Sequence, residues 1–311
     1  MKKISVIVAA YNEEQVINEC YVKVKEELEN LNNYEYEIIF VNDGSRDNTL
    51  NLLEDICKSD KNIKVLSFTR NFGHQAAVTA GLKYVKGNVV CIIDADMQDS
   101  PKHIPYMLEY WEKGYDIVYG KRKKRKAESV FKLLTAKIFY IFLNKLSNVK
   151  IPKNTGDFRI IDRRVVDTIN TFSERNKFLR GIFAWTGYKQ YAYEYERNER
   201  FAGKTKYPLN KMLKLATDGI ISFSTKPLKV VTTIGFISIV ISILVLIYAL
   251  VMYFSGSSNL IVGWTSLIVC ITFFAGVQLL SLGIISEYIA RIYDESKNRP
   301  EYIINKKINM E

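Results

Sequence analysis

From Val230 to Ser286 the chain carries no charged residue. A hydrocarbon core about 30 Å thick takes roughly 20 apolar residues per helix, so the run is long enough for two crossings. The small and polar stretch Ser255-Gly256-Ser257-Ser258-Asn259 interrupts it, predicting one helix over Val230 to Phe254 and a second over Leu260 to Ser286. The alternative is a buried hairpin in a soluble protein, but buried helices rarely run so long without a charge. Lys226 and Lys229 precede the run and Arg291, Lys297 and Arg299 follow it, whereas the connecting stretch has no basic residue. By the positive-inside rule both ends of the hairpin are expected in the cytoplasm. The opening Met-Lys-Lys-Ile-Ser-Val leads into a strand pattern and has no signal-peptide pattern. Residues 1–229 are therefore expected as a cytosolic domain held at the inner face of a cell membrane. Four scattered cysteines fit reduced thiols there and exclude a disulfide scaffold.

The formal net charge of +11 is unevenly spread: −5 over residues 1–100, +16 over 101–229 and zero over 230–311. A basic segment suits nucleic acid, an anionic bilayer or a phosphate-bearing ligand. The neighbouring hairpin and the absence of a recognition motif favour anionic membrane lipid and argue against nucleic acid. Glu128 to Ser147 and Pro208 to Phe223 carry apolar residues at helical spacing with lysines among them, which predicts interfacial amphipathic helices. Packing of either helix on the domain core is the competing expectation. Of the basic run Lys121 to Lys126, several residues are expected only to attract lipid headgroups, whereas Arg163 and Arg164 are as readily structural.

The first hundred residues repeat a strand, turn and helix pattern. Strands are predicted over Ile4 to Ala9, Glu37 to Val41, Ile63 to Phe68 and Val89 to Ile93, each followed by a polar turn and an amphipathic stretch. That alternation implies an α/β fold with a mostly parallel sheet covered on both faces. Ligands bind such sheets at the carboxyl ends of the strands, where Glu13, Asp43, Asp94 and Asp96 fall. Each has a bland reading as well: Asp43 could stabilise its turn, and Asp99 or Ser100 before Pro101 could cap a helix. Asp94 and Asp96 are two apart and point the same way if extended, and like charges that close need a cation. Oxygen ligands with Gln98 as a neutral third suit Mg²⁺ or Mn²⁺, whereas two histidines and no Cys pair make zinc a poor fit.

Val6-Ile7-Val8 with Tyr11-Asn12-Glu13-Glu14, Asn42-Asp43-Gly44-Ser45, Asn71-Phe72-Gly73 and Asp94-Ala95-Asp96-Met97-Gln98-Asp99 resemble the family 2 glycosyltransferases of GT-A fold. Asn154-Thr155-Gly156-Asp157-Phe158-Arg159, the stretch Arg200 to Tyr207 and the hairpin narrow the resemblance to the polyisoprenyl-phosphate glycosyltransferases, which include bactoprenol glucosyltransferases and dolichol-phosphate mannose synthases. The likeness runs from about residue 3 to about residue 300, with Ala9 standing where many relatives have proline. It implies a Rossmann-like GT-A domain that binds nucleotide sugar, followed by juxtamembrane amphipathic helices and a two-helix transmembrane hairpin. Residues 1–120 would be the nucleotide-sugar and metal core, 121–229 the acceptor-binding part, 230–286 the hairpin and 287–311 a cytoplasmic tail.

The resemblance further implies a nucleotide-sugar site at Ala9, Tyr11, Glu13, Val41, Asp43 and Asp94, and a divalent ion on Asp94, Asp96 and Gln98. Asp157 matches a position proposed as catalytic base, with Asp96 beside it in the catalytic set. A lipid monophosphate is already largely ionised near pH 7, so Asp157 is expected to orient the acceptor more than to deprotonate it. Arg122, Arg200, Lys204 and Lys206 are the expected cations for the acceptor phosphate. The implied reaction is inverting transfer of a hexose, glucose from UDP-glucose foremost, to undecaprenyl phosphate, giving a lipid-linked sugar for cell-envelope glycosylation. N-acetylglucosamine, galactose, mannose or an aminopentose would need only local changes, and a homo-oligomer is compatible with the sequence. A processive polysaccharide synthase lacks its Gln-x-x-Arg-Trp motif and extra spans here, and a flippase subunit would be expected to carry ionisable groups in its helices. A non-catalytic membrane scaffold would bind sugar nucleotide without releasing the diphosphate.

Overall fold

A computed structural model describes residues 1–123, 152, 155–175, 177–196, 224–255 and 263–310. Its centre is a β-sheet in which β1 (Lys2–Ala10), β2 (Tyr34–Asn42), β3 (Ile63–Phe68) and β4 (Val89–Asp94) run parallel in the order β4-β1-β2-β3. These are the four strands expected from the sequence. The sheet then continues on both sides. β6 (Thr155–Asp162) lies antiparallel on β4, β5 (Ile117–Arg122) antiparallel on β6, and β7 (Gln190–Tyr195) parallel on β5. At the opposite edge β8 (Ile304–Ile308) pairs antiparallel with β3. The result is an eight-stranded mixed sheet of the GT-A type, less uniformly parallel than the first hundred residues suggest.

Alternation along the strands divides the core into two layers. Val6, Val8, Ile38, Phe40 and Ile93 face α1 (Ile17–Glu29), α2 (Thr49–Ser59) and α4 (Ile104–Glu112). Ile7, Ile39, Leu66, Val90 and Ile92 face α3 (His74–Tyr84), α5 (Arg163–Asn170) and α6 (Leu179–Trp185). Helices thus cover both faces, and the parallel strands can be apolar on both sides. At the sheet's lower end Glu37 is 1% exposed and accepts from Ser5 Oγ at 2.5 Å, Lys86 N at 2.7 Å and Lys64 Nζ at 2.6 Å.

Two long helices leave this domain, α7 (Lys226–Phe254) and α8 (Trp264–Ser296), with α8 extending ten residues beyond the Ser286 boundary expected from the sequence. Tyr288 OH donates to Ser224 O at 2.7 Å, joining the end of α8 to the start of α7, so both enter and leave on the catalytic-domain side. Phe236, Leu244, Leu279 and Leu280 are each more than 60% exposed, a surface that water does not favour. Among the described residues, Phe273–Ser296 is long and apolar enough to cross a membrane. The segment read as a tail, 287–311, instead begins as the last turns of α8 and returns to the sheet as β8. The amphipathic stretches 128–147 and 208–223 lie outside the described residues, as do Arg200, Lys204, Lys206 and the break at 256–259.

Candidate active site

The register brings three expected site residues into one row at the rim: Ala9 pairs with Val41 on one side and with Asp94 on the other. Val41 is fully buried with its side chain in the core, so only its main chain can meet a ligand. The turns beyond β1 and β2 are stitched together. Asn12, in a left-handed conformation, donates from its N–H to Ser45 Oγ and accepts from Arg46 N, while Glu13 N donates to Thr49 Oγ1 at 2.9 Å. Tyr11 and Glu13 are thereby placed at the rim.

Asp43 is 3% exposed and holds the next turn. Its Oδ1 accepts from Phe72 N at 2.6 Å, and its Oδ2 from Gly73 N and Asn71 Nδ2, both at 2.9 Å. Burial pushes its carboxyl up despite these bonds. Gly44 beside it has φ +63, and a Cβ there would lie 2.3 Å from the Arg70 main chain, so the turn requires glycine. The bland reading of Asp43 as stabilising its own turn is thereby corrected: its carboxylate frames the neighbouring Asn71-Phe72-Gly73 turn.

That turn aims His74, the first residue of α3, into the rim. A cation at a helix N-terminus opposes the helix dipole, yet two carboxylates compensate. His74 Nε2 lies 3.1 Å from Asp157 Oδ2 and 3.5 Å from Asp94 Oδ1. Burial disfavours the imidazolium, but Asp94 and the bond to Asp157 outweigh it and carry its pKa up to about 9. Asp157 also takes Arg180 Nε at 2.8 Å and Nη2 at 2.9 Å, a two-pronged clamp. Burial alone would raise its carboxyl; Arg180 and His74 reverse this and hold it well below the usual range. Buried Arg159 braces the same residue from behind, donating to Asp157 O and Gly156 O while its guanidinium covers the Phe183 ring at 4.3 Å.

Asp94 is the opposite case. Burial, with the charges of Asp157, Asp99 and Asp96, pushes it up to about 6 although His74 pulls the other way. Its Oδ1 is buried and has no hydrogen-bond partner. Asp96 turns its Oδ1 to Gln98 N at 3.1 Å, with Met97 in a left-handed conformation between them. Beneath the rim, the thiol of Cys20 is pushed up to about 12 by burial, with the fields of Asp96, Glu13 and Asp94 adding to it. Among the described residues no group of three or more His, Cys, Asp or Glu forms a ready cage for a metal. A pair of carboxylates, one with an oxygen that accepts no hydrogen bond, instead fits a Mg²⁺-like ion that takes its other ligands from water and phosphate.

Neither Asp99 nor Ser100 caps the short helical turn at Pro101–His103 with its side chain. Asp99 is fully buried and accepts from Tyr195 OH and, at 3.1 Å, from Arg122 Nη2. Arg122 is the one expected acceptor cation within the described residues, and its Nε is buried without a partner. A Cβ at Gly156 would lie 2.4 Å from Arg122 Nη2, so glycine makes room for the guanidinium. Arg163 and Arg164 have structural partners, Val85 O and Asp167 for the first, Asp116 and Asp162 for the second. Sequence reasoning missed His74, Arg180, Arg159 and the role of Asp99. His74 carried a signal in its place just after the Asn-Phe-Gly turn, and Arg159 and Asp99 in closing the two quoted motifs; Arg180 carried none.

Residues 5–169 match the family described as glycosyl transferase family 2. An uncharacterized glycosyltransferase, YkcC of Bacillus subtilis, is 47% identical over 99% of this chain and 94% of its own. The SfII prophage-derived bactoprenol glucosyl transferase of Shigella flexneri is 44% identical over 98% of both chains. Among solved structures, glucosyl-3-phosphoglycerate synthase from Mycobacterium tuberculosis with Mn²⁺, UDP and phosphoglyceric acid covers 71% of this chain and 76% of its own at 16% identity and a TM-score of 0.47.

Proposed function

The chain belongs to glycosyl transferase family 2, and from that premise we propose that it moves a hexose, glucose foremost, from a UDP-sugar to undecaprenyl phosphate at the cytoplasmic face of the cell membrane. The observation that carries this reading is that two buried atoms of opposite character on one rim, Asp94 Oδ1 and Arg122 Nε, have no hydrogen-bond partner, with His74 Nε2 3.5 Å from the first and Asp99 acting electrostatically on both residues. A carboxylate oxygen that accepts no hydrogen bond suits a metal on the donor's diphosphate. An orphaned guanidinium N–H suits the acceptor's phosphate. The relatives named bactoprenol glucosyl transferase support the lipid acceptor and the sugar, since they align along almost the whole chain.

In this reading Ala9, Tyr11, Glu13, the Val41 main chain and the turn framed by Asp43 hold the nucleotide. Asp94 and Asp96, with Gln98, would hold Mg²⁺ or Mn²⁺, which when bound supplies Lewis-acid stabilisation of the departing diphosphate. Arg122, joined by Arg200, Lys204 and Lys206, binds the lipid phosphate. Asp157 fixes Arg180 and His74 between the two. Helices α7 and α8 cross the membrane as a hairpin with both flanks in the cytoplasm, and the basic middle of the chain faces anionic lipid.

The two orphaned atoms give separable tests in membranes supplied with donor, lipid phosphate and Mn²⁺. Asp94→Asn is expected to lower kcat by about 100-fold or more, whereas Arg122→Met raises KM for the lipid phosphate and leaves KM for the donor unchanged. An Arg122→Met chain with wild-type KM for the lipid would sink the assignment of that residue.

A further inference from the structure

The end of α8 and the segment after it touch both walls of the candidate site. On one side Tyr302 stacks on Phe68 with ring centroids 5.0 Å apart and planes 11° from parallel. Phe68 meets Phe72 edge to face at 5.8 Å, and Phe72 N is the donor that Asp43 Oδ1 accepts. Thr69 N donates to Ile303 O at 3.1 Å, so main chain and rings hold the same place. On the other side Glu295 accepts from Arg175 N at 2.9 Å, and Glu301 pairs with Lys177 at 3.0 Å with both side chains largely buried. Those residues lead into α6, whose Arg180 clamps Asp157 and whose Leu179 N donates to Gln75 of α3. Past Tyr302 the strap is fastened by β8 and by Asn309, which donates to Cys57 O and Ile63 O.

We infer that residues 295–308 are a positioning strap: Tyr302 sets the Asn71-Phe72-Gly73 turn and thereby the nucleotide side of the site, using the end of the membrane helix as its anchor. The inference rests on the proposed reaction for its kinetic arm. Nothing in an edge strand as such requires this arrangement, since β3 could be covered by any extended segment. What is specific is that Phe68 of the ring pair meets Phe72, whose N–H donates to Asp43. A partly buried aromatic pair and its edge-on neighbour form a short, stiff path from α8 to the donor-side turn.

The test uses the full chain in lipid nanodiscs as wild type, Tyr302→Ala, Tyr302→Phe and Glu301→Gln. Amide hydrogen exchange needs no substrate: Tyr302→Ala is expected to speed exchange at Phe72 and Gly73 by about tenfold, with β1 unchanged. In transfer assays with UDP-glucose, Mn²⁺ and undecaprenyl phosphate, the same variant raises KM for the sugar nucleotide by about three- to tenfold with little change in kcat. Tyr302→Phe keeps the ring and restores both readouts, and Glu301→Gln, which loosens Lys177 and Thr79 of α3 but not the ring pair, leaves exchange at the Phe72 amide within about twofold of wild type. Unchanged exchange at Phe72, or exchange raised equally throughout the domain, overturns the strap. A wild type that transfers no sugar while the exchange pattern holds counts against the proposed reaction instead.

Discussion

With Arg180 on both oxygens of Asp157 and His74 at 3.1 Å, the carboxylate has its charge committed within the protein. A group held well below the usual carboxylate range is a weak proton acceptor, and a phosphate monoester with a second pKa near about 6 needs little deprotonation. In the proposed reaction Asp157 is the fixed anion that aims two cations. Asp157→Asn is expected to cost about 100-fold or more in transfer while sugar-nucleotide binding survives; transfer kept above about half of the wild-type rate would remove Asp157 from the mechanism. Gly156→Ala should push Arg122 aside and raise KM for the lipid phosphate, with KM for the donor unmoved; equal changes in both would show a general distortion. Asp94, Asp96 and Asp157 were legible because acidic residues at strand ends and in a known motif announce themselves locally. His74 meets Asp157 across 83 positions of sequence, a pairing that only the fold creates, and Arg180 stands in an unremarked helix with no local pattern at all.

At the scale of elements, the four parallel strands were readable because burial on both faces demands β-branched runs such as Val6 to Val8. β5, β7 and β8 were not, since Ile-Val-Tyr-Gly-Lys-Arg, Gln-Tyr-Ala-Tyr-Glu-Tyr and Ile-Asn-Lys-Lys-Ile mix charge, aromatics and glycine and lack a continuous apolar run. The C-terminal strand carries the larger lesson: a charged segment after a membrane helix reads as a tail until its partner β3 is seen. Deep in the sheet, Glu37 ties β1, β2, β3 and the start of β4 through Ser5, Lys64 and Lys86. Its pKa falls to about 2 because these bonds, Lys64 foremost, outweigh burial. A depressed carboxylate contributes stability that is present above its unfolded value of 4.5 and lost as pH falls through 2. Wild type is expected to exceed Glu37→Gln by about 1–3 kcal/mol at neutral pH, and the gap to close on acidification, followed by urea unfolding in detergent. A gap that widened towards pH 2 would show the sign to be wrong.

For the whole molecule, the charge of +11 resolves into −5 over residues 1–100, +16 over 101–229 and zero over 230–311. The order matches a reaction that joins a soluble anionic donor to an anionic lipid. The hairpin expectation is checked by impermeant maleimide on intact cells, in a Cys270→Ser background. Ser257→Cys should label from outside and Lys307→Cys only after permeabilisation, and the reverse pattern would invert the topology. The central claim is tested most directly by incubating membranes that contain this chain with undecaprenyl phosphate, Mg²⁺ or Mn²⁺ and a panel of sugar nucleotides, then weighing the lipid by mass spectrometry. The account predicts a lipid heavier by one hexose with UDP-glucose, dependent on the divalent ion and lost in Asp94→Asn. A lipid unchanged by every donor, in membranes where a bactoprenol glucosyl transferase assayed alongside does add its sugar, would contradict it.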